Sequence, residues 1–122
     1  MAGKEKLVET AILNWLNMLP NVFCFKNHTT GIWDSKKKIF RPLQGFSIKG
    51  VSDIIGVIAP TGTMIAIEVK SPEGLKVYNR QSTRHVQEQK AFLDTVKHYG
   101  GIAGVASSIE DAMEILKRHN AI

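Results

Sequence analysis

The chain has 122 residues, a formal charge of +5 at pH 7 and a single cysteine, Cys24. This length suits one domain with one hydrophobic core, spanning 1–122. The composition excludes a disulfide-stabilised scaffold, and it offers no apolar run long enough for a membrane span and no signal-peptide pattern. We therefore expect a protein of a reducing cytoplasm, and the positive charge favours polyanionic partners.

The first predicted element is a helix over Lys4–Leu19, which Pro20 ends. Its apolar stripe comprises Leu7, Ala11, Trp15 and Leu19, widened by Val8, Ile12 and Leu16. Glu9 shares a helix face with Leu13 and Leu16, so its carboxylate can point toward a sheet. The alternative is a first-turn acid that only stabilises the helix dipole, and spacing alone favours that alternative.

A short strand is predicted over Val22–Lys26, followed by an irregular basic segment over Asn27–Lys49 in which Ile39-Phe40 can form a strand. The basic residues of this segment are Lys36, Lys37, Lys38, Arg41 and Lys49, and they alternate with Trp33, Phe40 and Phe46. Such alternation predicts a surface that contacts phosphates and stacks on bases. The alternative is a solvated loop whose aromatic residues cover the core.

Two β-type runs, Ile54–Ala59 and Met64–Val69, flank a Pro/Gly turn signal and predict a hairpin. With Thr61-Gly62 as a two-residue loop, Asp53 lies opposite Lys70, and Ile55 lies opposite Glu68. Side chains alternate along strands, so Asp53, Glu68 and Lys70 share one face.

The charged residues of this hairpin interrupt a strand that is otherwise apolar. A buried carboxylate is costly unless it is paired or binds a cation. One interpretation is an ion pair of Lys70 with Asp53 or Glu68 on an edge strand. The presence of Asp53 as a second carboxylate favours a site for a divalent metal, because Mg²⁺ is commonly bound by one or two carboxylates and several waters.

After Lys70, the sequence predicts a turn over 71–74, a connection over Leu75–Ser82 and a helix over Thr83–Tyr99. Gln89 falls on the buried stripe of that helix, where its amide needs a hydrogen-bond partner, and a sheet carbonyl is the simplest one. A strand over Ile102–Ala106 and a helix from Ile109 to about His119 complete the chain. The four histidines show no metal-ligand spacing, and we expect His85 and His98 to be solvated.

This order of elements predicts an α/β fold, with helices packed around a small mixed sheet. The helix that leads into the strand Ile102–Ala106 would make that strand parallel to a neighbour.

The succession Gly50-Val51-Ser52-Asp53, Glu68-Val69-Lys70, Gln89 and Gly100-Gly101 resembles the VRR-NUC family of the PD-(D/E)XK nuclease superfamily. The resemblance extends from Glu9 to about Ser107, and it is greatest to the small standalone members of phages and bacteria. One departure is Ser52, where the family often has proline.

The resemblance implies a restriction-endonuclease-like three-layer core, with a mixed central sheet flanked by helices. It implies a metal-dependent endonuclease that hydrolyses phosphodiester bonds of duplex or branched DNA, with Mg²⁺ or Mn²⁺ as cofactor, acting as a homodimer. The implied metal ligands are Asp53, Glu68, the Val69 carbonyl and Glu9, with Lys70 and Gln89 as further catalytic residues. The alternative is a nucleic-acid-binding module that keeps the fold without catalysis.

Overall fold

The computed structural model of the chain describes residues 2–27, 32–41 and 49–122. In this range the helices are α1 (Ala2–Met18), α2 (Pro72–Arg80), α3 (Arg84–His98) and α4 (Ile109–Arg118). The strands are β1 (Val22–Lys26), β2 (Ile32–Asp34), β3 (Ile39–Arg41), β4 (Ile54–Ile58), β5 (Thr63–Val69) and β6 (Ile102–Ala106).

The central sheet is mixed and has the strand order β1-β4-β5-β6. The β1–β4 and β4–β5 pairs are antiparallel, and β6 lies parallel to β5, as the α3 crossover predicts. Helices α1 and α4 pack on one face over the larger core cluster, and α3 packs on the other face. The described chain is therefore an α/β fold with helices on both sides of a mixed sheet.

The β4–β5 hairpin has a different register from the one predicted from the sequence. Ile58 pairs with Thr63, so the connection has four residues, 59–62, and Ile55 lies opposite Ala66 instead of Glu68. Gly62 has φ +72° and its N–H bonds the Ile58 carbonyl, which closes the turn. The register is displaced by two residues, and because side chains alternate with a period of two, the predicted face is unchanged.

Two further predictions are wrong in detail. Residues 72–80 form helix α2 instead of a turn and a connection. The Ser71 side chain caps this helix by accepting a hydrogen bond from the Gly74 N–H, and Pro72 occupies the first turn. Serine followed by proline is common in turns, but the same pair also begins helices. In α1 the fully buried stripe runs through Ile12 and Leu16, whereas Leu7 is 73% exposed.

The basic segment contains a small β2–β3 hairpin, in which Trp33 pairs with Phe40, and only β3 was expected from the sequence. No helix in the described ranges combines the length and the apolar character that a membrane crossing requires.

Candidate active site

The predicted cluster of two carboxylates and an ammonium forms where β4 begins and β5 ends. The Asp53 Oδ2 accepts a hydrogen bond of 2.8 Å from the Val69 N–H, which joins the residue before β4 to the last residue of β5. The Lys70 ammonium lies 3.4 Å from Glu68 Oε2. Asp53, Glu68 and Lys70 are thus brought together, as the shared face predicted.

Glu68 is the most deeply buried member of the cluster, with only 2% of its surface exposed. Burial, together with charge repulsion from Asp53 and a hydrogen bond between Asp53 and the protonated form, raises the pKa of its carboxyl from 4.5 to about 8. Lys70 opposes this shift without cancelling it. In the metal-free site Glu68 therefore keeps its proton at neutral pH, and a cation bound between the two carboxyl groups would take the place of that proton.

Gln89 lies beside the carboxylates, as the resemblance implies, and it does not cap a sheet carbonyl. Its Nε2 donates to Glu68 Oε2 at 2.9 Å and lies 3.1 Å from the Nε2 of His85. Its Oε1 is buried and has no hydrogen-bond partner in the described chain. An unpaired acceptor at this place is suited to a bound water or hydroxyl group.

The position of Gln89 depends on a close contact between Gly50 and helix α3. Gly50 has φ +78°, and a β-carbon at this residue would collide with the backbone of Glu88 and Gln89. Only glycine combines this backbone conformation with so close an approach. The glycine thereby fixes the distance between the chain that enters β4 and the helix that carries the amide.

The first helix contributes two acids to this region. Glu9 is buried and its Oε1 lies 3.1 Å from the Lys26 ammonium, so its direct partner is a lysine at the end of β1. Glu5, one turn earlier, has its pKa raised by burial, lowered by Lys70 and raised by Asp53 and Glu9. Glu5 therefore lies in the electrostatic field of the cluster, although the sequence pattern pointed only to Glu9.

An open cleft of about 290 Å³ borders this end of α1, lined by Glu5, Lys6, Glu9 and Lys26. Larger cavities of about 500 and 430 Å³ lie around the 59–62 turn and Gly100, at the opposite end of β5 from Glu68. We assign the site to the carboxylates, because chemistry and burial distinguish them and cavity size does not.

The donor set fits a hard dication. Carboxylate oxygens of Asp53 and Glu68 suit Mg²⁺ or Mn²⁺, which keep part of their hydration shell. Within residues 2–27, 32–41 and 49–122, no group of three or more histidine, cysteine, aspartate or glutamate side chains is arranged to hold a metal ion. A cation held by the carboxylate pair would therefore take its other ligands from water, backbone or substrate.

The predicted nucleic-acid contacts lie in the basic segment. Lys36, Lys37 and Lys38 form the turn between β2 and β3 and are exposed, as is Lys49. The side chains of Trp33, Phe40 and Arg41 lie outside the described residues, as does the whole of Phe46.

Three residues near the cluster were not singled out as functional from the sequence. His85, expected to be solvated, is exposed but lies against Gln89. Tyr78 of α2 is buried, with the Lys70 and Lys90 ammoniums 5.3 and 5.0 Å from its ring centroid. The His85–Gln89 contact follows the i, i+4 spacing of α3, whereas no local sequence pattern signals the Tyr78 contacts, because they join α2, α3 and the residue after β5.

Comparisons of the chain with protein-family models, with curated proteins and with solved structures found no match.

Proposed function

We propose that the chain is a metal-dependent deoxyribonuclease of the VRR-NUC type, with a restriction-endonuclease-like core. One observation carries the proposal: the Asp53 and Glu68 carboxylates adjoin at the ends of neighbouring strands, with the Lys70 ammonium 3.4 Å from Glu68. The mixed sheet with helices on both faces supports the same proposal.

Asp53 and Glu68 would hold the metal, with the Val69 carbonyl as a further ligand that the resemblance implies. The resemblance also implies Glu9, which is paired with Lys26 and would have to exchange that partner for the ion. When bound, a Mg²⁺ or Mn²⁺ ion supplies polarisation of the phosphoryl group and lowers the pKa of a coordinated water. The Val69 N–H holds the Asp53 carboxylate, so this ligand is oriented before a cation arrives.

Lys70 would stabilise developing negative charge, and Gln89 would orient the Glu68 carboxylate and a water. The Lys70 ammonium is only partly exposed, so its charge is weakly screened and can stabilise the negative charge that develops on the phosphoryl oxygens. Gln89 fixes the Glu68 carboxylate through its 2.9 Å hydrogen bond, and its unpaired Oε1 can accept a hydrogen bond from the attacking water.

The proposed substrate is duplex or branched DNA. The exposed lysines 36–38, with Arg41 and Lys49, supply positive charge for contacts with the phosphate backbone. These contacts are sequence-independent, which suits an enzyme that selects the shape of a DNA rather than its bases.

A homodimer is the proposed assembly, and an uncovered sheet face supports it. Phe23, Phe25, Val57 and Met64 are exposed on neighbouring strands of that face. The outer edge of β1 is less available, because the Asn17 amide bonds both backbone polar groups of Cys24 at 2.9 Å. A second copy would therefore pack against the apolar face instead of pairing with β1.

The test is a cleavage assay with supercoiled, linear and four-way-junction DNA in Mg²⁺, Mn²⁺ or EDTA. We expect cutting only with metal, and a loss of at least 100-fold in Asp53→Asn and in Lys70→Met, while the exposed-site control Glu114→Gln keeps wild-type activity. DNA binding without cutting under all metal conditions would instead indicate a non-catalytic binding module. Full activity in Asp53→Asn would refute the assignment of the site.

A further inference from the structure

Two exposed side chains of α3 lie on either side of the buried Gln89. His85 precedes it by one helical turn, and the Nε2 of its ring is 3.1 Å from the Gln89 amide nitrogen. Lys90 follows it directly and is also exposed. Because Gln89 bonds both Glu68 and His85, the exposed His85 stands where solvent meets the carboxylate cluster.

Lys90 is held toward the cluster by an aromatic ring. Its ammonium lies 5.0 Å from the centroid of the Tyr78 ring, and the Lys70 ammonium lies 5.3 Å from the same centroid. The ring itself is only 4% exposed, so it is a fixed platform that belongs to the short helix α2.

The two ammoniums beside this ring differ in whether a carboxylate lies close enough to pair with them. Lys70 has the Glu68 carboxylate at 3.4 Å. Lys90 has no carboxylate of the described chain within 4.0 Å, although Asp94 lies one turn further along the helix. Asp94 is close enough to raise the pKa of Tyr78, so it offsets part of the Lys90 charge at longer range. The ring thus places a positive charge without a direct carboxylate partner in the described chain next to the Lys70–Glu68 pair, in a position that favours an anionic ligand.

We propose that Lys90 and His85 bind the phosphate backbone of the nucleic acid immediately beside the carboxylate cluster. The identification of the anion as a phosphodiester rests on the proposed nuclease function. Lys90 acts as a point charge, and the imidazole of His85 donates a hydrogen bond to a phosphate oxygen. Both are positioning residues, which hold the strand so that one of its phosphates reaches Asp53 and Glu68.

The ordinary alternative is that His85 and Lys90 are solvated helix residues whose charge acts only at long range. Helix α3 offers a matched control, because Lys97 and His98 repeat the same residue types in its last turn and are exposed too. Lys97 lies about 10 Å further along the helix axis than Lys90, and His98 lies about 20 Å further than His85. Each pair of substitutions removes the same charge, so only the place differs.

The experiment is fluorescence anisotropy with a labelled 20-base-pair duplex in EDTA, between 50 and 300 mM NaCl. We expect Lys90→Ala and His85→Ala to weaken binding by about three- to tenfold, and Lys90→Ala to reduce the slope of log affinity against log salt by about one. Lys97→Ala and His98→Ala should stay within about twofold of wild type, and Lys90→Arg should retain the wild-type affinity.

The inference would be overturned if the Lys97 and His98 variants lost as much DNA affinity as the Lys90 and His85 variants, or if the wild type showed no measurable binding. A parallel cleavage assay with Mn²⁺ separates it from the proposed function. If the wild type cuts DNA while Lys90→Ala and His85→Ala bind and cut normally, the inference fails and the nuclease stands. If DNA binding depends on Lys90 and His85 but the wild type never cuts DNA, the proposed nuclease function is refuted and the proposed phosphate-binding site is supported.

Discussion

Replacing Glu68 by glutamine should stabilise the metal-free protein at neutral and alkaline pH. The folded protein holds the Glu68 proton up to a pKa of about 8, whereas the unfolded chain loses it near 4.5. The folded state therefore binds more protons between these values, so stability falls as the pH rises through this window. The pKa of Glu5 is raised as well and adds a contribution of the same sign.

The size of the effect follows from the shift. One pKa unit corresponds to about 1.4 kcal/mol, so the shift of Glu68 sets an upper bound of roughly 5 kcal/mol, of which about 3 kcal/mol is reached at pH 7. Glu68→Gln recovers only part of this, because a polar amide still has to be buried and the Lys70 ammonium loses its partner. We expect a gain of about 2 kcal/mol at pH 8 and little change at pH 5.

The assay is urea unfolding of wild type and Glu68→Gln in EDTA, at half-unit steps from pH 5 to pH 9. Glu114→Gln, an exposed substitution on α4, controls for the loss of one negative charge. The wild type should lose stability as the pH rises to 8, and the difference between wild type and Glu68→Gln should grow with it. The reasoning would be refuted if the wild type became more stable as the pH rises to 8, or if Glu68→Gln were less stable than the wild type at pH 8.

Two further predictions concern the frame of the site and the assembly. Gly50→Ala should lower the free energy of unfolding by about 2 kcal/mol or more in thermal melts, because a β-carbon there meets the α3 backbone. Gly62 has a similar φ but lies in open space, so Gly62→Ala should lower it by only about 1 kcal/mol. Equal costs would contradict a specific contact with α3. Phe23→Lys should convert a dimer to a monomer in light scattering, since Phe23 is 64% exposed on the apolar sheet face, and Leu7→Lys on α1 should not. A wild type that is already monomeric would contradict the dimer.

Much of the fold follows from local sequence patterns. The helical spacing of Val86, Leu93 and Val96 predicts α3, and these three residues are buried together with Gln89. The apolar runs predict the central hairpin, and alternation puts Asp53 and Glu68 on one face. The register is less determined, because a displacement of two residues preserves the face, and only the geometry of the 59–62 turn decides it.

Other parts depend on tertiary packing that one sequence does not encode locally. Glu5 and Glu9 lie one turn apart on α1, and which of them meets the cluster depends on how far the helix overhangs the sheet. Tyr78 meets Lys70 and Lys90 only because the fold brings this one side chain of α2 to a residue of α3 and to the residue that follows β5. The Ser71-Pro72 pair starts α2, although the same residues are common in turns.

The central claim is that Asp53 and Glu68 share a divalent cation, and calorimetric titration of the metal-free protein with Mn²⁺ tests it most directly. We predict saturable binding by the wild type, its loss in both Asp53→Asn and Glu68→Gln, and unchanged binding in Glu114→Gln. Mn²⁺ binding that persists undiminished in Asp53→Asn, or a wild type that binds no Mn²⁺ at millimolar concentration, would contradict the claim.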